Sequence, residues 1–178
     1  KTMKTKFNQS KLKLAIVSAI MACSAGLSAS SYAATTTATM TVSSSVATAC
    51  TMTTGDLTFG TYDPSTQADV DGTATITSTC TLGGGAVITL SQGGNAFTGS
   101  SDVVPLRQMA DGDNRLKYHL YGDNDRIGVF GNTAGTGQNV TGTGGAVTTT
   151  VYGRIVGAEN AGTPAGTYAD GVLVTLTY

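Results

Sequence analysis

The sequence predicts a single all-β domain, an antiparallel sandwich, and three observations support this fold class. The chain has 24 glycines, three prolines and no tryptophan among 178 residues, and almost no stretch has helical spacing. Short segments of alternating apolar and polar residues recur between turns rich in glycine and aspartate. Cys50 and Cys80 lie on the apolar faces of two such segments, as a bridge between strands of a sandwich core requires.

The first 33 residues have the pattern of a secretory leader. Lysines precede and overlap an apolar run at residues 12–22, and residues 31–33 (SYA) place small side chains at the −3 and −1 positions of a cleavage site. The run is too short to span a bilayer. The alternative is a lipoprotein box at residues 20–23, which would make Cys23 an acylated membrane anchor. We expect cleavage after Ala33.

Removal of the leader makes the chain acidic. Five of the ten basic residues are leader lysines, so five basic side chains remain against eleven acidic ones, a net charge of −6. Nucleic acid and acidic polymers need clustered lysine and arginine, and the sequence therefore excludes them as partners. The remaining 145 residues are enough for one domain with a core.

Six strands are predicted from the alternation. We expect them at residues 46–52, 74–82, 86–90, 116–121, 147–155 and 171–178, with loops at 93–101 and 131–145. An earlier segment, residues 34–49, begins with the same pattern and continues into three serines, 43–45. A strand followed by such a tether need not pair within its own chain, although an ordinary edge strand of the same domain is the alternative.

The two cysteines left after leader removal can form one bridge. In an oxidising compartment we expect a Cys50–Cys80 disulfide, and closing a loop of this length stabilises the fold by about 3–4 kcal/mol in the chain-entropy model. A zinc site would need more than these two ligands.

The sequence contains no set of catalytic residues. The single histidine, His119, lies in a predicted strand, and no serine has another base beside it. Acidic clusters at residues 111–114 (DGDN) and 123–125 (DND) favour turns. Calcium is the alternative, although neither cluster completes the known loop motif. We therefore expect no enzyme, no cofactor and no resident metal.

Several motifs, in order along the chain, resemble the spore coat protein U family, the subunits of archaic chaperone–usher pili of the Csu type. They are LTFGTYDP at residues 57–64, Cys80-Thr81, RQM at 107–109, LKYHLY at 116–121, VYGRI at 151–155 and AGTYAD at 165–170, followed by the alternating end at Tyr178. The similarity runs from about Ala38 to the C-terminus. One departure is Phe130, where the family often has tryptophan, and phenylalanine fills the same apolar role.

The resemblance implies an incomplete immunoglobulin-like sandwich that lacks its final strand. A periplasmic chaperone is expected to fill the resulting groove first. At an outer-membrane usher, the N-terminal donor strand of the next copy then replaces the chaperone, a form of β-augmentation. The protein is expected to be a pilin that is exported to an extracellular pilus for surface attachment and biofilm formation. Because it would both give and receive a strand, we expect it to be the repeating stalk subunit.

The same resemblance assigns residues and boundaries. Residues 1–33 are the expected signal peptide, 34–45 the donor strand and tether, and 46–178 the pilin domain. The expected donor residues are Thr36, Ala38, Met40 and Val42. The expected acceptor edge consists of Val172, Val174, Leu176 and Tyr178, beside a second strand that the sequence does not identify.

Two other functions stay open at this point. One is a secreted or lipid-anchored sandwich that binds carbohydrate, which would need an exposed aromatic platform. The tyrosines instead lie in strand or motif contexts that indicate packing. The other is a minor or tip subunit of the same pilus, which usually carries an additional receptor-binding domain.

Overall fold

The computed structural model describes residues 32–178. The chain divides into two units, Lys1–Ser43 and Ser44–Tyr178. In the first unit, residues 32–43 form no strand and all their side chains are exposed. Most of the predicted leader, including Cys23, lies outside the described residues. Within residues 32–178, no helix has the length and apolar character needed to cross a membrane.

The second unit consists of two antiparallel sheets. Its strands are β1 (Cys50–Thr54), β2 (Val70–Cys80), β3 (Gly85–Leu90), β4 (Arg107–Asp111), β5 (Asn114–Tyr121), β6 (Gln138–Thr141), β7 (Ala146–Ile155) and β8 (Val174–Thr177), with a short 3-10 turn at Gly157–Glu159. One sheet has five strands in the order β1-β2-β7-β5-β4, and the other has three in the order β6-β3-β8.

Alternation along the strands builds the core between these sheets. Ile76 of β2 and Val151 of β7 are 2% and 4% exposed, and the threonines between such inward positions face outward. From the smaller sheet, Ile88 and Val140 pack into the same cluster. The buried apolar cluster consists of Ile76, Ile88, Leu90, Leu116, Tyr118, Leu120, Phe130, Val140, Val151 and Ile155. The predicted all-β sandwich is confirmed.

The predicted disulfide is also confirmed. Cys50 opens β1 directly opposite Cys80, the last residue of β2. Their Cα atoms are 4.1 Å apart and the sulfur atoms are bonded. Because the bond joins neighbouring strands of one sheet, it holds the edge strand β1 to the five-stranded sheet at the end where the chain enters the domain.

Three strand predictions were wrong at their ends. The first strand begins at Cys50 rather than residue 46, because residues 47–49 turn toward Thr81, whose N–H donates to the Ala49 carbonyl. The second strand stops at Cys80, so Leu82 lies in the following turn and is 77% exposed. The last strand covers only residues 174–177, because both backbone groups of Leu173 pair with Ser91 instead.

Two strands, β4 and β6, were not predicted. Strand β6 lies inside the segment predicted as a glycine-rich loop, and it pairs with β3 through only four residues. Its single buried apolar side chain, Val140, is too weak a periodic signal among six nearby glycines. Strand β4 begins with Arg107 and Gln108, which are both buried. Because a charged residue occupies an inward position, the strand lacks the usual alternation of apolar and polar residues.

Candidate functional site: an open groove beside the last strand

The two sheets differ in width, and this difference leaves an opening. Five strands face three, so part of the inner surface of the larger sheet has no strand above it. Inward-facing side chains near the opening, such as Met52, Ala74 and Met109, are only partly buried. The uncovered surface lies beside β8, whose one partner among the described strands is β3. The free edge of β8 therefore borders an unfilled part of the core.

The opening is a groove of about 770 Å³ with an apolar floor. The floor is formed by inward-facing side chains of β2, β5 and β7, together with neighbours from β3 and β4: Ala74, Ile76, Leu90, Met109, Leu116, Tyr118, Leu120, Val151 and Ile155. One wall consists of residues 54–62 and Pro64. The opposite wall consists of residues 163–170, Val172 and Val174.

The first wall crosses the inner face of the larger sheet. We call residues 55–62 the crossing segment. Its Leu57 and Phe59 side chains lie over two glycines, Gly72 of β2 and Gly153 of β7, which are direct partners in the ladder. A Cβ on Gly153 would lie 2.8 Å from the Phe59 ring, and one on Gly72 would lie 2.9 Å from the Thr58 carbonyl oxygen. These two glycines therefore create the space that the segment occupies.

Two aromatic side chains, Phe59 and Tyr62, hold the crossing segment in place. The Phe59 ring packs edge-on against the buried Tyr118 ring, with centroids 5.8 Å apart. The Tyr62 hydroxyl donates a hydrogen bond of 3.0 Å to the Gly157 carbonyl. The segment consequently forms a fixed border of the groove, opposite β8. It supplies the second border that the sequence did not identify.

Replacing Gly153 with valine is expected to lower the free energy of unfolding by about 2–3 kcal/mol, because the new side chain overlaps Phe59 and Leu57. The matched control is Gly85→Val in β3, where a Cβ meets no atom within 4 Å. Urea unfolding followed by circular dichroism measures both variants. An unchanged midpoint for Gly153→Val would show that the crossing segment does not depend on this glycine.

The second wall is anchored by a buried tyrosine and a carboxylate. The Tyr118 hydroxyl donates to Asp170 Oδ2 at 2.6 Å, and Asp170 Oδ1 accepts from the Gly94 N–H at 2.9 Å and from Asn95 Nδ2 at 3.2 Å. Burial raises the pKa of Tyr118 well above its usual value, and the bond to Asp170 raises it further. The hydroxyl therefore stays protonated at neutral pH and ties residues 163–170 to the sheet below.

The predicted acceptor residues occupy different positions around the groove. Val172 and Val174 line it, and both are half-buried. Leu176, also half-buried, packs against the core cluster. Tyr178 follows β8 and is 61% exposed; it borders a shallower depression between β3 and β6. The two residues nearest the groove are thus the earlier pair of the predicted four.

The predicted donor residues lie in the first unit. Thr36, Ala38, Met40 and Val42 are exposed and belong to no strand, with Met40 82% and Val42 81% exposed. Their role as a donor strand stays a prediction.

The other candidate residues take part in local structure. His119 Nε2 lies 3.1 Å from Glu159 Oε2 on the outer side of the larger sheet. Residues 111–114 form the β4–β5 turn, and the Asp123 carboxylate accepts hydrogen bonds from the N–H groups of Ile127 and Gly128. In the part of the chain that the structure describes, no three histidine, cysteine or acidic side chains gather as metal ligands would.

Two antiparallel sheets of unequal width, one disulfide and an apolar groove beside an unpaired edge define an open-edged β-sandwich. The chain belongs to the Spore Coat Protein U domain family, whose model matches residues 36–175. A relative, "Protein U" of Myxococcus xanthus, is 39% identical over 178 residues, covering 94% of this chain and 98% of that protein.

A solved structure has a similar fold. It is the crystal structure of a CsuC–CsuE chaperone–tip adhesion subunit pre-assembly complex from archaic chaperone–usher Csu pili of Acinetobacter baumannii. The TM-score is 0.52 at 21% identity, over 75% of this chain. The chain spans 40% of the length of the chain that it matches there. The family is structural and not enzymatic, as the sequence predicts.

Proposed function

We propose that this protein is a subunit of an archaic chaperone–usher pilus that polymerises by donor-strand complementation. The observation that carries the proposal is the groove of about 770 Å³ along the free edge of β8. An unpaired strand edge beside exposed core side chains is unstable toward aggregation until another strand pairs with it. An inserted strand would extend the three-stranded sheet to four and cover the apolar floor.

The same chain carries a segment suited to this role. Residues 36–42 alternate between small or apolar side chains and threonines, and they are exposed. With Thr36, Ala38, Met40 and Val42 facing the groove, the backbone would pair with β8 while threonines 37, 39 and 41 face solvent. A chain with both a donor and an acceptor can repeat indefinitely, which favours a stalk subunit over a tip subunit.

The partners follow from the same interpretation. The similar solved structure holds a pilus subunit with its chaperone, which supports a periplasmic chaperone as the first occupant of this groove. We infer that an outer-membrane usher then exchanges the chaperone for the next copy of this chain. The protein would thereby pass through the periplasm to a surface fibre that serves attachment and biofilm formation, and no nucleic acid takes part.

Deleting residues 35–42 is expected to abolish polymers and to leave chaperone binding intact, because the acceptor groove is unchanged. Fibres sheared from cells and the purified exported chain are run on gels without boiling, where strand-exchanged multimers form heat-sensitive ladders. Single substitutions refine the test. Met40→Asp or Val42→Asp should weaken the ladder, since each would bury an unpaired carboxylate in an apolar groove.

The matched control for those substitutions is Thr41→Asp, which places the same charge on the opposite face of the segment. It should leave the ladder unchanged. A truncated chain that still formed fibres would rule out donation by residues 35–42. Equal effects of Asp at positions 40 and 41 would rule out the assigned register. Electron microscopy after deletion of the gene separates the two subunit types, because loss of the rod is expected only for a stalk subunit.

A further inference from the structure

One end of the domain exposes apolar side chains around the point where the chain enters it. We call residues 46–49, 81–84 and 142–145 the tether-root surface. Its two large apolar side chains are Val46, 85% exposed, and Leu82, 77% exposed. Their neighbours along the chain are joined, because the Thr81 hydroxyl donates a hydrogen bond of 3.5 Å to the Ala47 carbonyl.

The backbone under this surface is firmly held. The Gly83 N–H donates to the Gly142 carbonyl at 2.8 Å, and the Gly142 N–H donates to the Gly84 carbonyl at 2.7 Å. The Cys50–Cys80 disulfide lies directly beneath. The exposure of Leu82 is therefore a fixed property of a rigid turn, and its side chain needs no rearrangement to meet a partner.

The short linker between the donor segment and Val46 limits what the tether-root surface can face in a fibre. This step rests on the proposed donation by residues 36–42. Val42 and Val46 are separated by three serines, and four residue steps span at most about 14 Å. When Val42 occupies a neighbour's groove, Val46 must lie within that distance of the groove's end. The tether-root surface then faces the neighbouring copy.

The direction of the inserted strand determines at which end of the neighbour's groove Val42 and the serine tether lie. A strand antiparallel to β8 places Val42 near the start of β8, at the far end of the domain from the neighbour's own tether root. Successive copies can then follow head to tail without crowding. At that end Leu173, between the groove residues Val172 and Val174, is 69% exposed.

We propose that the tether-root surface of one copy docks against the Leu173 end of the next copy, with Leu82 and Val46 as its apolar contacts. The contact lies outside the groove and adds a second interface between successive subunits. The three segments of the tether-root surface contain no charged residue, so they can approach an acidic neighbour without repulsion between like charges. Burial of Leu82 and Leu173 would stiffen the junction that the serine tether alone would leave free.

Photo-cross-linking in assembled fibres tests this contact. The photoreactive residue p-benzoylphenylalanine replaces Leu82, with Thr75, exposed on the outer face of β2, as the control position. We expect position 82 to give cross-linked dimers whose cross-link maps by mass spectrometry to the region around Leu173. Position 75 should give no such product. Leu82→Glu should keep the heat-sensitive ladder and make the serine tether more rapidly cleaved by proteinase K.

A charge exchange adds a second measurement. Leu82→Glu combined with Leu173→Lys should restore the slow cleavage of the tether that either single change removes. Multimers that persist without a cross-link from position 82 overturn the docking contact and leave strand donation intact. Absence of multimers from the unsubstituted chain overturns the proposed function itself.

Discussion

Replacing Arg107 with alanine is expected to lower the free energy of unfolding by about 3–5 kcal/mol, because buried carbonyl groups lose charged donors and a cavity remains. Arg107 is 1% exposed and lies at the start of β4. Its Nε donates to the Ser91 carbonyl at 2.9 Å, and its Nη2 donates to the carbonyls of Leu90 and Phe130 at 3.0 and 2.8 Å.

These bonds connect the two sheets behind the groove. Burial lowers the pKa of Arg107 to about 10, so the guanidinium still carries its charge at neutral pH. The carbonyls come from the end of β3 and from the segment after β5, and Arg107 itself belongs to the five-stranded sheet. Without the guanidinium, the end of β3 beside β8 would lose its tie to β4.

Two further substitutions separate the contribution of the Arg107 charge to stability from that of its side-chain volume. Arg107→Met fills most of the space but leaves the carbonyls without donors, and we expect nearly the full loss of stability. Arg107→Lys keeps one charged donor, and we expect an intermediate loss, since an ammonium group cannot reproduce the planar fork. Urea unfolding by circular dichroism gives the midpoints. An alanine variant within about 1 kcal/mol of the unsubstituted chain would contradict this account.

Replacing Asn160 with alanine is expected to lower the free energy of unfolding by about 2–4 kcal/mol, because it removes a buried amide and leaves three partly buried backbone groups without their partners. Asn160 is 3% exposed. Its Oδ1 accepts from the Lys117 N–H at 2.8 Å, and its Nδ2 donates to the carbonyls of Lys117 and Val156 at 3.1 and 2.9 Å.

The position of Asn160 explains the size of this effect. The β5–β7 ladder pairs only residues 119–121 with 152–154, and β7 ends at Ile155. Lys117 therefore has no partner in β7, and the Asn160 amide makes the backbone hydrogen bonds that a paired strand would make. Asn139→Ala, at an exposed position of β6, is the matched control and should change stability by less than about 0.5 kcal/mol. Similar unfolding midpoints for the two variants would show that Lys117 finds other partners.

Much of the fold could be predicted from local patterns. Strands β3, β5 and β7 have clear alternation, because each has one face in the core and one in solvent. The disulfide was predictable because only two cysteines lie outside the predicted leader. Strand β6 was missed since four residues with one buried side chain give almost no periodic signal. Strand β4 was missed because Arg107, a charged residue, occupies an inward position.

The groove was predicted only in part. The family resemblance placed an acceptor edge at Val172 and Val174, and both residues line the groove, while their role as an acceptor stays a prediction. The crossing segment was not predicted as its other border. One signal was present: Gly72 and Gly153 occupy inward positions of long strands, where glycine often marks a close approach of another backbone. Sequence alone does not show that these two glycines are ladder partners.

The sequence by itself determined the strand-rich class, the cysteine pair and the family, because these depend on composition, local alternation and ordered motifs. The tertiary structure decided where the core stays open. That outcome depends on the count of strands in each sheet and on a segment that crosses two glycines 81 residues apart in sequence. Such long-range pairing leaves no periodic trace in either strand, so only the assembled sheets locate the groove and its two borders.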